Sequence, residues 1–183
     1  MRFVSLIPAV VAVFFSGAAN AQAWAEYVNR ADFFTVNFPG EPTRQDSTYK
    51  TEKGTSLPAH VYNAQDARGR YTITVVDYAT ATAELPTAIE EAAKGVRAKG
   101  MVKYDGQNML DNHRSWRITV QTPAQRVILA EVLVAANNRL YISEAETPLN
   151  VAPPAQYQAS LQIVDEDGVR IRYRSVGSTE RVR

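Results

Sequence analysis

Apolar and polar side chains alternate with period two over much of this chain, most continuously across residues 114–146. Trp116, Ile118 and Val120 alternate with polar neighbours; residues 127–135 (VILAEVLVA) are then apolar on both faces apart from Glu131, and Leu140 and Ile142 alternate again. A run that is apolar on both faces suits a strand covered on both sides, so residues 127–135 are expected as a central strand between two half-buried partners. Pro123-Ala124 and Asn137-Asn138 supply the turns, since Asn tolerates the left-handed backbone of a two-residue hairpin loop.

The same pattern extends in both directions. Residues 24–30 look like a short lead-in of one helical turn. In residues 33–38 (FFTVNF) the side chains of Phe34, Val36 and Phe38 share one side of a strand that Pro39-Gly40 ends. Residues 44–51 are polar and charged, which suits an edge strand, and Gly54 turns them. Residues 57–63 and 71–78 read as a hairpin closed by Asp66-Ala67-Arg68-Gly69. Pairing Gln65 with Arg70 puts Tyr62 opposite Ile73 and His60 opposite Val75, with Asp77 diagonal to His60.

At residues 85–99 the period changes to that of a helix: Leu85, Ile89, Ala92 or Ala93 and Val96 recur, Pro86 suits the first turn, and Gly100 marks the end. A second row, Ala88, Ala92 and Gly95, suggests close approach to a neighbour. Residues 101–110 read as a strand interrupted by Asp105-Gly106, with Asp111-Asn112 as the following turn. Past a proline-rich link, residues 154–164 read as a shorter helix with Tyr157, Leu161 and Val164 on one face, ended by residues 165–168.

The N-terminus adds a compartment. Arg2, an apolar run over residues 4–15, and the small-residue sites Ala19-Asn20-Ala21 and Ala21-Gln22-Ala23 match a secretory signal peptide over residues 1–23, cleaved after Ala21 or Ala23. The run is shorter than the roughly twenty apolar residues that a membrane span needs. The chain has no cysteine, which excludes disulfides, thiolate zinc sites and the lipid-bearing cysteine of a bacterial lipoprotein. An exported, soluble protein of the bacterial periplasm is therefore expected. Loss of the leader removes Arg2 and leaves nineteen basic against nineteen acidic side chains, so nucleic-acid binding, which needs a basic surplus, is disfavoured.

Together these elements predict an α+β fold: an antiparallel β-sheet of about six to eight strands packed with two main helices, as one domain over residues 24–168. Residues 169–183 form a basic tail, expected to be flexible, with Arg170, Arg172 and Arg174 as candidates for weak contact with an anionic membrane surface or an acidic partner. The segment Phe34-Thr35-Val36-Asn37-Phe38-Pro39-Gly40-Glu41-Pro42 resembles the F-x-V-x-F-P-x-x-P opening of the PsbP-like family. Residues 71–78, the helix from Leu85, Arg139-Leu140-Tyr141 and the segment containing Ser160-Leu161 fall where that family's counterparts would. The resemblance spans about residues 33–165 and implies a sheet-and-helix sandwich acting as an accessory or binding protein. An envelope protein or a small ligand is the expected partner, and no cofactor is expected.

Candidate chemistry is sparse. No Gly-rich phosphate loop, serine elbow or metalloprotease helix occurs. The two histidines, His60 and His113, have no ligand spacing for zinc, and His113 reads as a surface residue beside a turn. His60 with Asp77 is the sharpest candidate for acid-base catalysis, and the alternative to a binding protein is a small hydrolase using that pair. Asp165-Glu166-Asp167-Gly168 starts like a calcium loop, but no glutamate closes it, so it reads as helix termination. Glu131 on a covered strand needs a partner, which Arg117 or Arg114 could supply, or else serves a ligand. Tyr49, Tyr62, Tyr71, Tyr78 and Tyr104 could line one sheet surface as a binding platform, with Tyr62 and Tyr71 as its centre.

Overall fold

The computed structural model describes residues 24–173 and 181–182; for residues 172, 173, 181 and 182 only the backbone is described. The signal-peptide segment, residues 1–23, and Arg174 lie outside the described residues. The elements in chain order are β1 (Trp24–Asn29), β2 (Phe34–Pro39), β3 (Thr43–Lys50), β4 (Ser56–Gln65), β5 (Arg70–Asp77), a 3-10 turn (Thr82–Glu84), α1 (Leu85–Arg97), β6 (Met101–Leu110), β7 (His113–Gln121), β8 (Arg126–Ala135), β9 (Arg139–Pro148), α2 (Ala155–Gln158), β10 (Gln162–Ile163), β11 (Arg172–Tyr173) and β12 (Arg181–Val182). The fold is α+β and mostly antiparallel sheet. Seven strands form one sheet in the order β3-β4-β5-β9-β8-β7-β6, three form a second in the order β1-β2-β10, and β11 pairs with β12.

The two faces of the large sheet are covered differently. Ala88 and Ala92 of α1 pack on Leu57, Val76, Val132 and Leu140, while Ala93 and Val96 pack on Ile118, Val120 and Ala130. On the opposite face Phe34, Val36 and Phe38 of β2 meet Tyr62, Tyr71, Ile73, Val75, Leu133 and Tyr141. Alternation along β2 thus puts all three of its large apolar side chains into this core. Gly95 lies apart from any close approach, since a Cβ there would meet nothing within 4 Å. Gly100 is different: its Cβ would lie 2.2 Å from the Gln121 carbonyl oxygen, so this glycine lets the end of α1 run against β7.

Turn chemistry sets much of the register. Gln65 pairs with Arg70, Tyr62 with Ile73 and His60 with Val75, as the hairpin expectation has it. Asp111 (φ 47°) and Asn112 (φ 62°) form the two-residue turn between β6 and β7. The β8–β9 loop instead has three residues, because Ala135 pairs with Arg139, and only Asn138 (φ 58°) is left-handed.

Strand β8 is interior to the large sheet, paired with β7 and β9 and buried on both faces as the 127–135 run has it. Several other expectations are corrected. Residues 24–29 are a strand, since pairing with β2 lets Tyr27 pack against the Phe34–Tyr62 core. Strand β6 runs unbroken through Asp105-Gly106, and its irregularity is a bulge between Val102 and Tyr104. The second helix shrinks to four residues, after which Gln162 and Ile163 pair with Thr35 and Phe34. Tyr157, Leu161 and Val164 are nonetheless all buried. The start of the basic tail is docked: Val164 bridges to Arg170, and Arg170 Nη2 lies 2.5 Å from Glu26 Oε1. Among the described residues no helix is long and apolar enough to cross a membrane.

Candidate functional site

The reversal between β1 and β2 builds the first part of the site. It ends in Phe33 at φ 57°, a conformation that a bulky side chain rarely takes. Phe33 is held there by the Arg139 guanidinium, 4.6 Å from its ring centroid, and by its carbonyl, which accepts from the Val164 amide at 3.0 Å. The preceding residue, Asp32, is 2% exposed, and a carboxylate so buried must be hydrogen-bonded. Its Oδ2 accepts from the Tyr62 hydroxyl at 2.5 Å and lies 2.6 Å from His60 Nδ1. Its amide donates to Asn29 Oδ1 at 2.8 Å, and its carbonyl accepts from the Tyr141 hydroxyl at 3.0 Å. Burial, and after it the hydrogen bond to Asp32, push the Tyr62 hydroxyl above the usual phenol range, which keeps it a donor.

An ionised carboxylate only accepts, so Asp32 selects the His60 form with its proton on Nδ1 and leaves Nε2 facing outward. The group facing Nε2 is the exposed Asp46 carboxylate at 3.8 Å. The imidazole is therefore ordered as in a catalytic dyad, but by Asp32. Asp77 shares its sheet face and takes other partners: Arg139 Nη2 at 3.6 Å and the Ala79 amide at 2.8 Å.

The remaining candidates are dispersed. Glu131, 3% exposed, accepts from Arg117 Nε at 2.6 Å and Asn108 Nδ2 at 2.9 Å, and also from the Ser115 hydroxyl, so Arg117 is its ion-pair partner. Tyr62 and Tyr71 are buried between the sheets, Tyr78 and Tyr49 pack on the α1 side, and Tyr104 is exposed on β6. The five tyrosines therefore form no single platform. Strand parity separates Tyr71 from Tyr78, which stand at odd and even positions of one extended run. Arg172 lies in β11.

The second part of the site is a cleft of about 510 Å³ where several chain reversals meet at one end of the sheets. Phe33, Ile163, Val164 and Ile171 give it apolar walls, and His113, Asn137 and the turn at residues 165–167 give it polar ones. His113 was expected at the surface, yet it opens β7 and is buried, its Nδ1 2.9 Å from the Asp111 carbonyl. Asp111 Oδ2 in turn accepts from the Ile163 amide at 3.0 Å. Residues 165–168 do not end a helix. They form a hairpin turn in which Asp165 Oδ1 accepts from the Asp167 and Val169 amides at 3.0 and 2.9 Å, with Gly168 at φ 81°. Glu166 and Asp167 are left exposed at the rim. Asn137 joins the two parts, since it donates to the same Tyr141 hydroxyl that is bonded to Asp32.

Such a lining suits a ligand with an apolar body and a basic head group. Among the described residues no group of three or more His, Asp and Glu side chains could hold a metal ion. A scan against protein-family models finds no match to the chain, and a search among curated proteins finds none.

Proposed function

We propose that this chain is an exported, non-catalytic accessory or binding protein of the bacterial periplasm, built as a PsbP-like sandwich, whose cleft takes a small ligand or a side chain of an envelope partner. One observation carries the reading. Among the described residues that line the cleft there is no hydroxyl, thiol or amine side chain for its carboxylates and imidazole to activate. The arrangement is one for holding a molecule rather than transforming it. Residues 1–23 support export, and the Phe34-to-Pro42 pattern supports the family, because its three apolar side chains build the core between the sheets.

A second reading is a small hydrolase using His60, with Asp32 rather than Asp77 as its carboxylate. It is favoured by the ordered imidazole and its outward Nε2. Amide NMR of the mature protein titrated with phenethylamine and with 3-phenylpropionate separates the two. Shifts at Phe33, Asn137, Ile163 and Glu166 with the amine alone support the cleft. No shift there, together with ester hydrolysis that His60→Gln abolishes, overturns the binding reading in favour of the enzyme.

A further inference from the structure

The two edges of the seven-stranded sheet are unlike. Strand β3 is polar and charged along its length, with Arg44, Asp46 and Lys50 exposed, the usual protection against pairing with another chain. Strand β6, the opposite edge, carries Met101 (63% exposed), Val102 (42%), Tyr104 (51%) and Met109 (59%), four of the seven large apolar side chains exposed among the described residues. An edge strand presents unpaired backbone donors and acceptors, and here they are flanked by apolar side chains.

We propose that β6 is the docking edge for a second copy of this chain, forming a two-fold dimer whose large sheets join through antiparallel β6 strands. The register follows from strand parity. Val102, Asp105, Gln107 and Met109 stand opposite Val120, Ile118, Trp116 and Arg114 and so share the α1 face. Tyr104, Gly106, Asn108 and Leu110 stand opposite Thr119, Arg117, Ser115 and His113 on the other face. In an antiparallel pair, opposed residues must share a face.

One alignment satisfies this and also covers the apolar residues. With the two-fold axis at Gly106, Asp105 meets Gln107 of the second copy and Tyr104 meets Asn108. Beyond the bulge, which takes up one residue at Lys103, Val102 meets Met109 and Met101 meets Leu110. Lys103 sits in the bulge, so no lysine faces its own copy, and Asp105 is already neutralised by Arg97 Nε at 2.6 Å. The pairing is self-complementary, as a two-fold interface requires. With nineteen basic and nineteen acidic side chains after the leader, the copies repel one another little. A contact made by one strand from each copy is at the small end for a specific interface, so association is expected in the micromolar range.

Sedimentation velocity of the mature protein across a concentration series tests this. The expected result is a reversible monomer–dimer equilibrium that Val102→Lys or Met109→Glu each weaken by about tenfold or more. An equimolar mixture of the two variants should recover association, because the ammonium introduced on one copy then faces the carboxylate introduced on the other. The absence of cysteine gives a second readout: a Val102→Cys, Met109→Cys double variant should form an oxidised dimer, and neither single variant should. A monomer at all concentrations overturns the proposal, including the case where this edge serves a different protein. So does a dimer indifferent to both charge variants, or crosslinking of the single-cysteine chains as readily as the double.

Discussion

Removing one hydroxyl, in Tyr62→Phe, tests how the buried Asp32 carboxylate is held. The ring stays in its place against Phe34, 5.1 Å between centroids, and only the 2.5 Å hydrogen bond to Asp32 and the 2.9 Å bond from Asn29 are lost. A hydrogen bond to a charged group contributes about 1.5–3 kcal/mol, and its loss leaves part of a buried carboxylate unsatisfied. Asn29 loses less, because its amide also donates to the Tyr27 hydroxyl at 3.1 Å. The slightly greater burial energy of Phe offsets a fraction, so the net cost is about 2 kcal/mol, or a Tm lowered by about 4–8 °C at this chain length. Urea unfolding followed by far-UV circular dichroism measures it. Combining the change with Asp32→Asn should give a coupling of about 1–2 kcal/mol in a double-mutant cycle. A Tm unchanged within a degree, or two strictly additive substitutions, would refute the claim that Tyr62 holds this carboxylate.

Two further outcomes follow from the same structure. Gly95→Ala, exposed on α1 with open space at its Cβ, should raise stability by about 0.5–1 kcal/mol, whereas Gly100→Ala, aimed at the Gln121 carbonyl, should lower it in the same thermal-melt comparison. Acid stability should report on Asp66. Burial pulls its pKa up, but the Arg68 and Gly69 amides, the Tyr71 hydroxyl and the Arg68 guanidinium outweigh that and hold it below the usual carboxylate range. A depressed folded pKa stabilises the fold above the unfolded value of about 3.9, and that contribution is lost as the pH falls through the folded value. Urea midpoints measured from pH 6 to pH 2 should therefore fall less steeply for Asp66→Asn than for the native chain, and parallel curves would contradict the assignment.

Much of the local architecture was legible because the forces behind it act over a few residues. Period-two alternation marked β2, β5, β7 and β9, a run apolar on both faces marked β8, the helical spacing marked α1, and the polar composition of β3 marked an edge. The Asp111-Asn112 turn and the Gln65–Arg70 pair fixed two hairpins, and a register fixed by its turn carries Glu131 to Arg117 on the neighbouring strand. Where a segment's own signal was short, its partner decided instead. Residues 24–29 become a strand because β2 offers an edge, and residues 162–163 leave the helical pattern for the other side of that same strand.

The candidate site shows the same division more sharply. That His60 shares its sheet face with the Asp77 carboxylate was readable from the hairpin, but which carboxylate reached it was not. Asp32 comes from a reversal 28 residues earlier, and the Tyr141 hydroxyl that holds its carbonyl comes from 109 residues later. The cleft beside it joins turns from four parts of the chain, and it buries a histidine that looks exposed from its neighbours alone. The sequence by itself determined most of the strands, two hairpin turns, the long helix and the polar edge at β3, since backbone preference and alternation are local properties. Only the tertiary structure decided which buried charges meet, because that choice depends on which distant segments the packing of the two sheets brings within hydrogen-bond reach.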